Sequence, residues 1–237
     1  MSNECRRVEI VGVAGTGKST LALSLAGHDP AFRIADFLHT RSPAHWPYVV
    51  HGAPRVLALL AATVRERPLP SWDEVKLVLY VSEWSRYLAA RKEHRSGITV
   101  LDQGPLFAMA CLVWGGKPLT ERPTFGRWLA GMAARWSDEL DLIVWLDASD
   151  DVLVGRINDR EQRHEAKGAA TTAALELLRR HRDAYGRVLD EVERPGGPPV
   201  RRVNTSTRSP AEVTDEVLGA LEEMEWLTDR RRVLNVG

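Results

Sequence analysis

Two cysteines, Cys5 and Cys111, stand too far apart in 237 residues for a thiol metal cluster or a disulfide framework. A reduced Cys111, buried in an apolar helix, is the expectation, and it suits a cytoplasmic protein. Charge of one sign is also lacking: 32 Lys and Arg balance 32 Asp and Glu, and the pI is ≈ 7.1. No global field therefore pulls the chain toward nucleic acid or an anionic membrane, so neither is expected as a partner. No apolar run approaches the roughly 18 residues of a membrane span. Met1-Ser-Asn-Glu-Cys-Arg-Arg7 leads straight into a strand-like run, so no signal peptide is expected. Of the seven histidines, no two have metal-ligand spacing beside an acid, so no zinc site is expected. The eight tryptophans outnumber four Phe and four Tyr, but they are scattered, and a core role accounts for them. Repeats, low-complexity tracts and linkers are missing too, which leaves a single domain over residues 1–237.

What is present begins at residue 8. Val8-Glu-Ile-Val-Gly12-Val-Ala-Gly15-Thr-Gly17-Lys18-Ser19-Thr20 sets an apolar run directly before the pattern G-x-x-x-x-G-K-[ST]. The glycines let the backbone turn until several amides point at one anion, and the helix that follows adds the partial positive charge of its N-terminus. Gly12, Val13, Ala14, Gly15, Thr16, Gly17, Lys18, Ser19 and Thr20 are thus the expected nucleotide-binding segment. Lys18 would reach the β and γ phosphates, and the Ser19 hydroxyl would bind Mg²⁺.

Strand-like runs alternate with helical ones along the chain. Strands are expected at about 7–11, at Phe32–Asp36, at Gly97–Asp102, at Asp141–Asp147 and, more weakly, at Val200–Asn204. Helices are expected at about 17–26, 55–66, 73–94 and 171–193, and another opens at Ser209-Pro-Ala-Glu212, a capping-box pattern. The prolines within 39–54 mark that stretch as loop. The tail from about 228 to 237 is polar. This order implies an α/β protein, a mostly parallel sheet of about five strands with helices on both faces.

Three classes of protein share such a loop, and absences separate them. Hydrolysing ATPases place a carboxylate after the acid that ends the third strand, whereas Asp102 is followed by Gln103-Gly104-Pro105. A GTP switch needs D-x-x-G and N-K-x-D, and the sequence has neither in register. A phosphotransferase must exclude water and bring mobile positive charge to the phosphoryl group in flight. The charged stretch 149–168 has the content for such a lid, with Arg156, Arg160 and Arg163 on one face if it is helical. A solvated helix laced with salt bridges is the alternative reading of it. Asp102 completes the Mg²⁺ site with Ser19. Asp36, at the end of the second strand where ligands of open α/β sheets collect, is the candidate general base. Two patches are candidates for acceptor recognition, Trp84-Ser-Arg86-Tyr87 and His39, Arg41, His45 and Trp46, each with packing or surface as its plainer explanation.

On the loop Gly12-Val-Ala-Gly15-Thr-Gly17-Lys18-Ser19, the Asp102 strand, the Arg156/Arg160/Arg163 stretch and the final Asn204-Thr-Ser206, the chain resembles the thymidylate kinase and deoxynucleoside kinase group. The layout matches over about residues 6–222, with the loop as the specific element. The resemblance implies a three-layer P-loop fold with an Arg-rich lid over about 149–168, and ATP and Mg²⁺ as cofactors. It also implies that Arg156 and the loop Thr205–Arg208 flank the adenine. The group commonly has Arg after the third-strand acid, and Gln103 departs from this, which puts the acceptor in question. Transfer of the ATP γ-phosphoryl to a nucleoside or nucleoside monophosphate is the leading expectation. A sugar, cyclitol or antibiotic hydroxyl as acceptor, and a nucleotide-dependent regulatory ATPase, are the alternatives; a homodimer is left open.

Overall fold

The computed structural model describes residues 5–35, 42–63, 70–91, 97–115, 122–159, 171–224 and 226. β1 (Cys5–Val11), β2 (Phe32–Ile34), β3 (Gly97–Asp102), β4 (Leu142–Asp147) and β5 (Val200–Asn204) form one sheet in the order β2-β3-β1-β4-β5. Every neighbouring pair is parallel, with Cys5 opposite Gly97 and Val8 opposite Leu142. The helices among the described residues are α1 (Lys18–His28), α2 (Trp46–Thr63), α3 (Trp72–Ala90), α4 (Pro105–Gly115), α5 (Pro123–Glu139), α6 (Asp150–Asn158), α7 (Thr171–Val192) and α8 (Pro210–Glu223). None of them is long and apolar enough to cross a membrane.

Alternation along each strand divides the core in two. Val8 and Ile10 of β1, Ile98 and Val100 of β3 and Leu142, Val144 and Leu146 of β4 pack against Leu21 and Leu25 of α1 and Val217 and Leu221 of α8. The opposite phase, Val11, Leu101 and Ile143, meets the larger layer built from α3, α4, α5 and α7. Trp84 and Trp136 are fully buried there, and the Trp136 indole N–H donates to the Val81 carbonyl at 3.0 Å. Trp84 is thus a core residue. The expected three-layer arrangement is present.

One stretch departs from the expectation of loop. From Trp46 the chain is helical, and α2 carries Pro47 in its first turn and Pro54 in its interior. A first-turn proline forfeits no helical hydrogen bond, because its missing N–H would have had no partner. Pro54 does remove one, and burial of Val56 and Leu59 against α3 offsets it. Tertiary packing therefore overrides the local proline signal. The second strand is also shorter than read, ending at Ile34, and the third helix ends at Ala90. Helix α5 was not anticipated as an element, and α4 only as the apolar helix that holds Cys111. The capping box at Ser209 and Glu212 is formed, with both reciprocal bonds in place.

Candidate functional site

At the C-terminal edge of the sheet, β1 runs into the loop 12–17 and then α1. Gly12 passes so close to β4 that a Cβ there would lie 2.2 Å from the Leu146 carbonyl oxygen. Gly17, at the N-cap of α1, has φ 91, a left-handed conformation that costs L side chains about 1 kcal/mol or more. The first turn of α1 holds no acidic residue and Gly17 offers no side-chain cap, so its amides suit an anion. Thr16, buried inside the loop, donates to the Val13 carbonyl at 2.9 Å and fixes the turn. Lys18 folds back over the same loop, its Nζ donating to the Gly12 and Val13 carbonyls at 2.7 and 3.0 Å. Ser19 and Thr20 are exposed at the head of the helix.

Arg156 of α6 reaches this loop. Its guanidinium donates to the Gly15 carbonyl at 3.3 Å, to Thr205 Oγ1 at 3.0 Å and to the Thr205 carbonyl at 2.7 Å. A cavity of about 350 Å³ opens between these elements, lined by Gly17, Thr20, Arg156, Thr205, Arg208 and Pro210 among others. Among the described residues, two arginines and no carboxylate line it. It is therefore suited to an anionic ligand with an apolar portion. Arg160 and Arg163 lie outside the described residues, as does Asp36.

Asp102 ends β3 beside Ile10 of β1. Its Oδ1 is buried and has no hydrogen-bond partner among the described residues. A buried carboxylate oxygen without a partner calls for a cation or an ordered water. The Asp102 carboxylate and the Ser19 hydroxyl at the head of α1 are oxygen donors of the kind Mg²⁺ takes. No cluster of three or more His, Cys, Asp or Glu side chains capable of holding a metal occurs among the described residues.

Arg182, Tyr185 and Glu9 escaped the sequence reading. Arg182 of α7 donates to Asp147 Oδ1 at 3.1 Å and to the Ala148 carbonyl at 2.8 Å, and pairs with Asp150. It ties the end of β4 to the start of α6. Nothing in Arg179-Arg180-His181-Arg182 singles this arginine out. Ser206 Oγ accepts the Ser149 amide at 2.8 Å, so the turns after β4 and β5 are held together beside the cavity. Tyr185 is buried against the loop, its hydroxyl pushed well above the usual tyrosine range by burial, with the Gly12 backbone as a hydrogen-bond partner. Cys111 lies on α4, its thiol pushed up to about 12 by burial. Glu9 is fully buried in β1, and a carboxylate inside the apolar run Val8–Val11 was the visible signal for it.

Among the described residues, the two acceptor patches touch where His45 packs on Tyr87. Arg86 is exposed and donates to His51 Nε2 at 2.6 Å. The other imidazole nitrogen, Nδ1, lies 2.8 Å from the carboxylate of Glu83, which also takes Arg55 at 2.6 Å. This chain of contacts links α2 to α3. His45 is buried edge-on to Tyr87 with centroids 4.9 Å apart, and Trp46 is exposed. His39 and Arg41 lie outside the described residues.

No protein-family model and no curated relative matches the sequence. Solved structures do match. A thymidylate kinase from Candida albicans superposes with a TM-score of 0.59 at 14% identity, covering 94% of this chain and 93% of that one. Deoxyadenosine kinase from M. mycoides with bound dATP gives a TM-score of 0.53 at 14% identity, over 91% and 99% of the two chains. The same kinase with dCMP and dCDP bound gives 0.52 at 12% identity, over 92% and 99%. The chain shares its fold with these kinases, as the loop and its context led one to expect.

Proposed function

We propose that this chain is a kinase that moves the γ-phosphoryl group of Mg·ATP onto a small acceptor, a nucleoside or a nucleoside monophosphate. The observation that carries the reading is the bridge made by Arg156, which joins the phosphate loop at Gly15 to the turn at Thr205 across one cavity. Nucleotide phosphates lie on the loop amides, and the base lies between Arg156 and the Thr205–Arg208 turn. The M. mycoides deoxyadenosine kinase of the same fold holds dATP.

In this reading Lys18 leaves the carbonyls of Gly12 and Val13 and takes the β and γ phosphates. Ser19 and Asp102 would hold Mg²⁺, which would supply charge neutralisation on the phosphates. Arg156, with Arg160 and Arg163, supplies the positive charge that meets the phosphoryl group in flight and closes the site to water. Asp36 accepts the acceptor's hydroxyl proton as the oxygen attacks in line.

Gln103 favours a second acceptor class. It carries no charge where the resembling kinases commonly have Arg, and its φ of 61 places a non-glycine residue in a left-handed conformation. An acceptor without a phosphate at that point, a sugar, cyclitol or antibiotic hydroxyl, fits such an amide. ADP release with Mg·ATP across nucleosides, nucleoside monophosphates, sugars and aminocyclitols tests both readings, with Lys18→Ala as control. Acceptor-dependent release by the wild type alone supports a kinase and identifies the class. Slow release indifferent to every acceptor overturns the transferase reading in favour of a regulatory ATPase.

A further inference from the structure

The carboxylate of Glu9 sits under the turn that joins β3 to α4. It is fully buried, and its two oxygens accept amides from the first turn of that helix, Leu106 N to Oε2 at 3.1 Å and Phe107 N to Oε1 at 3.0 Å. A helix is normally capped by the residue just before it; here the cap comes from a strand, 97 residues earlier in sequence than Leu106. Gly104 completes the fit, since a Cβ there would lie 2.5 Å from Glu9 Cδ. Above this contact stand Gln103, with φ 61, and Asp102, whose buried Oδ1 is unpartnered among the described residues. From the side, the Tyr80 hydroxyl donates to the Gln103 carbonyl at 3.4 Å.

A strained backbone persists only where its surroundings fix it. The residues that fix this one are identifiable: Glu9 below, Gly104 in contact with it, and Tyr80 beside the turn. Register adds a constraint, because Glu9 lies opposite Leu101 and Ile10 opposite Asp102, so the strand that carries the phosphate loop also carries the cap. A shift of the first turn of α4 would move Gln103 and Asp102 relative to that loop.

We propose that Glu9 is a positioning residue: by capping α4 from β1 it sets the place of Asp102 relative to the phosphate loop, and so the strength of the Mg²⁺ site. The inference rests on the assignment of Asp102 and Ser19 given above. It predicts a coupling between a side chain that touches no ligand and the binding of the metal. Loss of a residue that orients a metal ligand lowers metal affinity by about 10- to 100-fold.

The test is calorimetric titration of ADP with and without Mg²⁺ into wild type, Glu9→Gln, Glu9→Met and Gly104→Ala, with melting temperatures and kcat measured alongside. Methionine fills the same space without a buried charge, so that variant keeps the core if glutamine does not. The expected result is that metal-free ADP binding stays within about twofold of wild type while the Mg²⁺ concentration for half-enhancement rises about 10- to 100-fold, in the order wild type, Glu9→Gln, Glu9→Met. Gly104→Ala, which leaves Glu9 in place but pushes a methyl into it, raises the Mg²⁺ requirement as well. A variant that melts lower yet keeps the wild-type Mg²⁺ response reduces Glu9 to a structural cap and overturns the inference alone. Wild type whose ADP binding is indifferent to Mg²⁺ overturns it together with the metal-site assignment.

Discussion

Arg156 donates to both oxygens of Thr205, the side-chain hydroxyl at 3.0 Å and the backbone carbonyl at 2.7 Å. The planar guanidinium is therefore held edge-on by the turn after β5, with a third contact to the loop carbonyl of Gly15 at 3.3 Å. Lysine cannot reproduce this fork. Arg156→Lys should raise the KM for ATP and lower kcat by about 10²-fold or more, with the fold retained. Steady-state kinetics against ATP, paired with a melting curve, checks it; unaltered kinetics would remove Arg156 from the nucleotide site.

Lys18 rests on two loop carbonyls and is not part of either apolar core. Lys18→Ala should lower kcat by about 10²- to 10³-fold and leave the melting temperature nearly unchanged. Activity at the wild-type level in that variant would sink the phosphate-loop assignment.

For Asp36→Asn, kcat should fall by about 10²- to 10⁴-fold while the Kd for ATP stays constant, because a base acts on the acceptor and not on the donor. Equal effects on both would take Asp36 out of the base role.

Glu9 makes the stability of the protein depend on pH with a definite sign. Burial pushes its carboxyl from 4.5 up to about 8, partly opposed by hydrogen bonds from the Phe107 and Leu106 amides. The folded state thus binds the proton more tightly than the unfolded state does. The contribution from this group is fully present below pH 4.5 and is lost as pH rises through about 8. Urea unfolding of wild type and Glu9→Met at a series of pH values isolates the slope. The difference between them should shift toward Glu9→Met as pH rises over that window, and a flat difference would contradict the burial argument.

Trp136→Phe keeps most of the apolar volume and deletes the bond to the Val81 carbonyl. The Val81 carbonyl, inside α3, keeps its helical bond but loses this second donor, and a small void opens, which together destabilise by about 2 kcal/mol. Denaturant unfolding measures it, and nucleotide affinity should not change.

The sheet, the loop and the final helix were legible because local signals agree with tertiary structure there: period-two apolar runs, glycines at fixed offsets and a capping box at Ser209. Where signals conflicted the reading failed. Pro47 and Pro54 spoke for loop, and only contact with α3 makes α2 helical. The site was legible in its contiguous part. Arg182 and Tyr185 contribute through long-range contacts with Asp147 and Gly12, and no periodicity distinguishes them from other residues of α7. Asp102 stands out in the sequence as an acid at a strand end, whereas Glu9 required knowing that α4 begins beside it.

β1 lies at the centre of the sheet, yet both of its neighbours come much later in the chain: Cys5 pairs with Gly97 and Val8 with Leu142. The strand that launches the phosphate loop is therefore made first but flanked on both sides only late. During synthesis it stays without its second neighbour until β4 has left the ribosome, and loops this long close slowly. A chain stopped before residue 142 would carry the complete loop sequence on a strand with one open edge, able to pair with other chains instead of binding nucleotide.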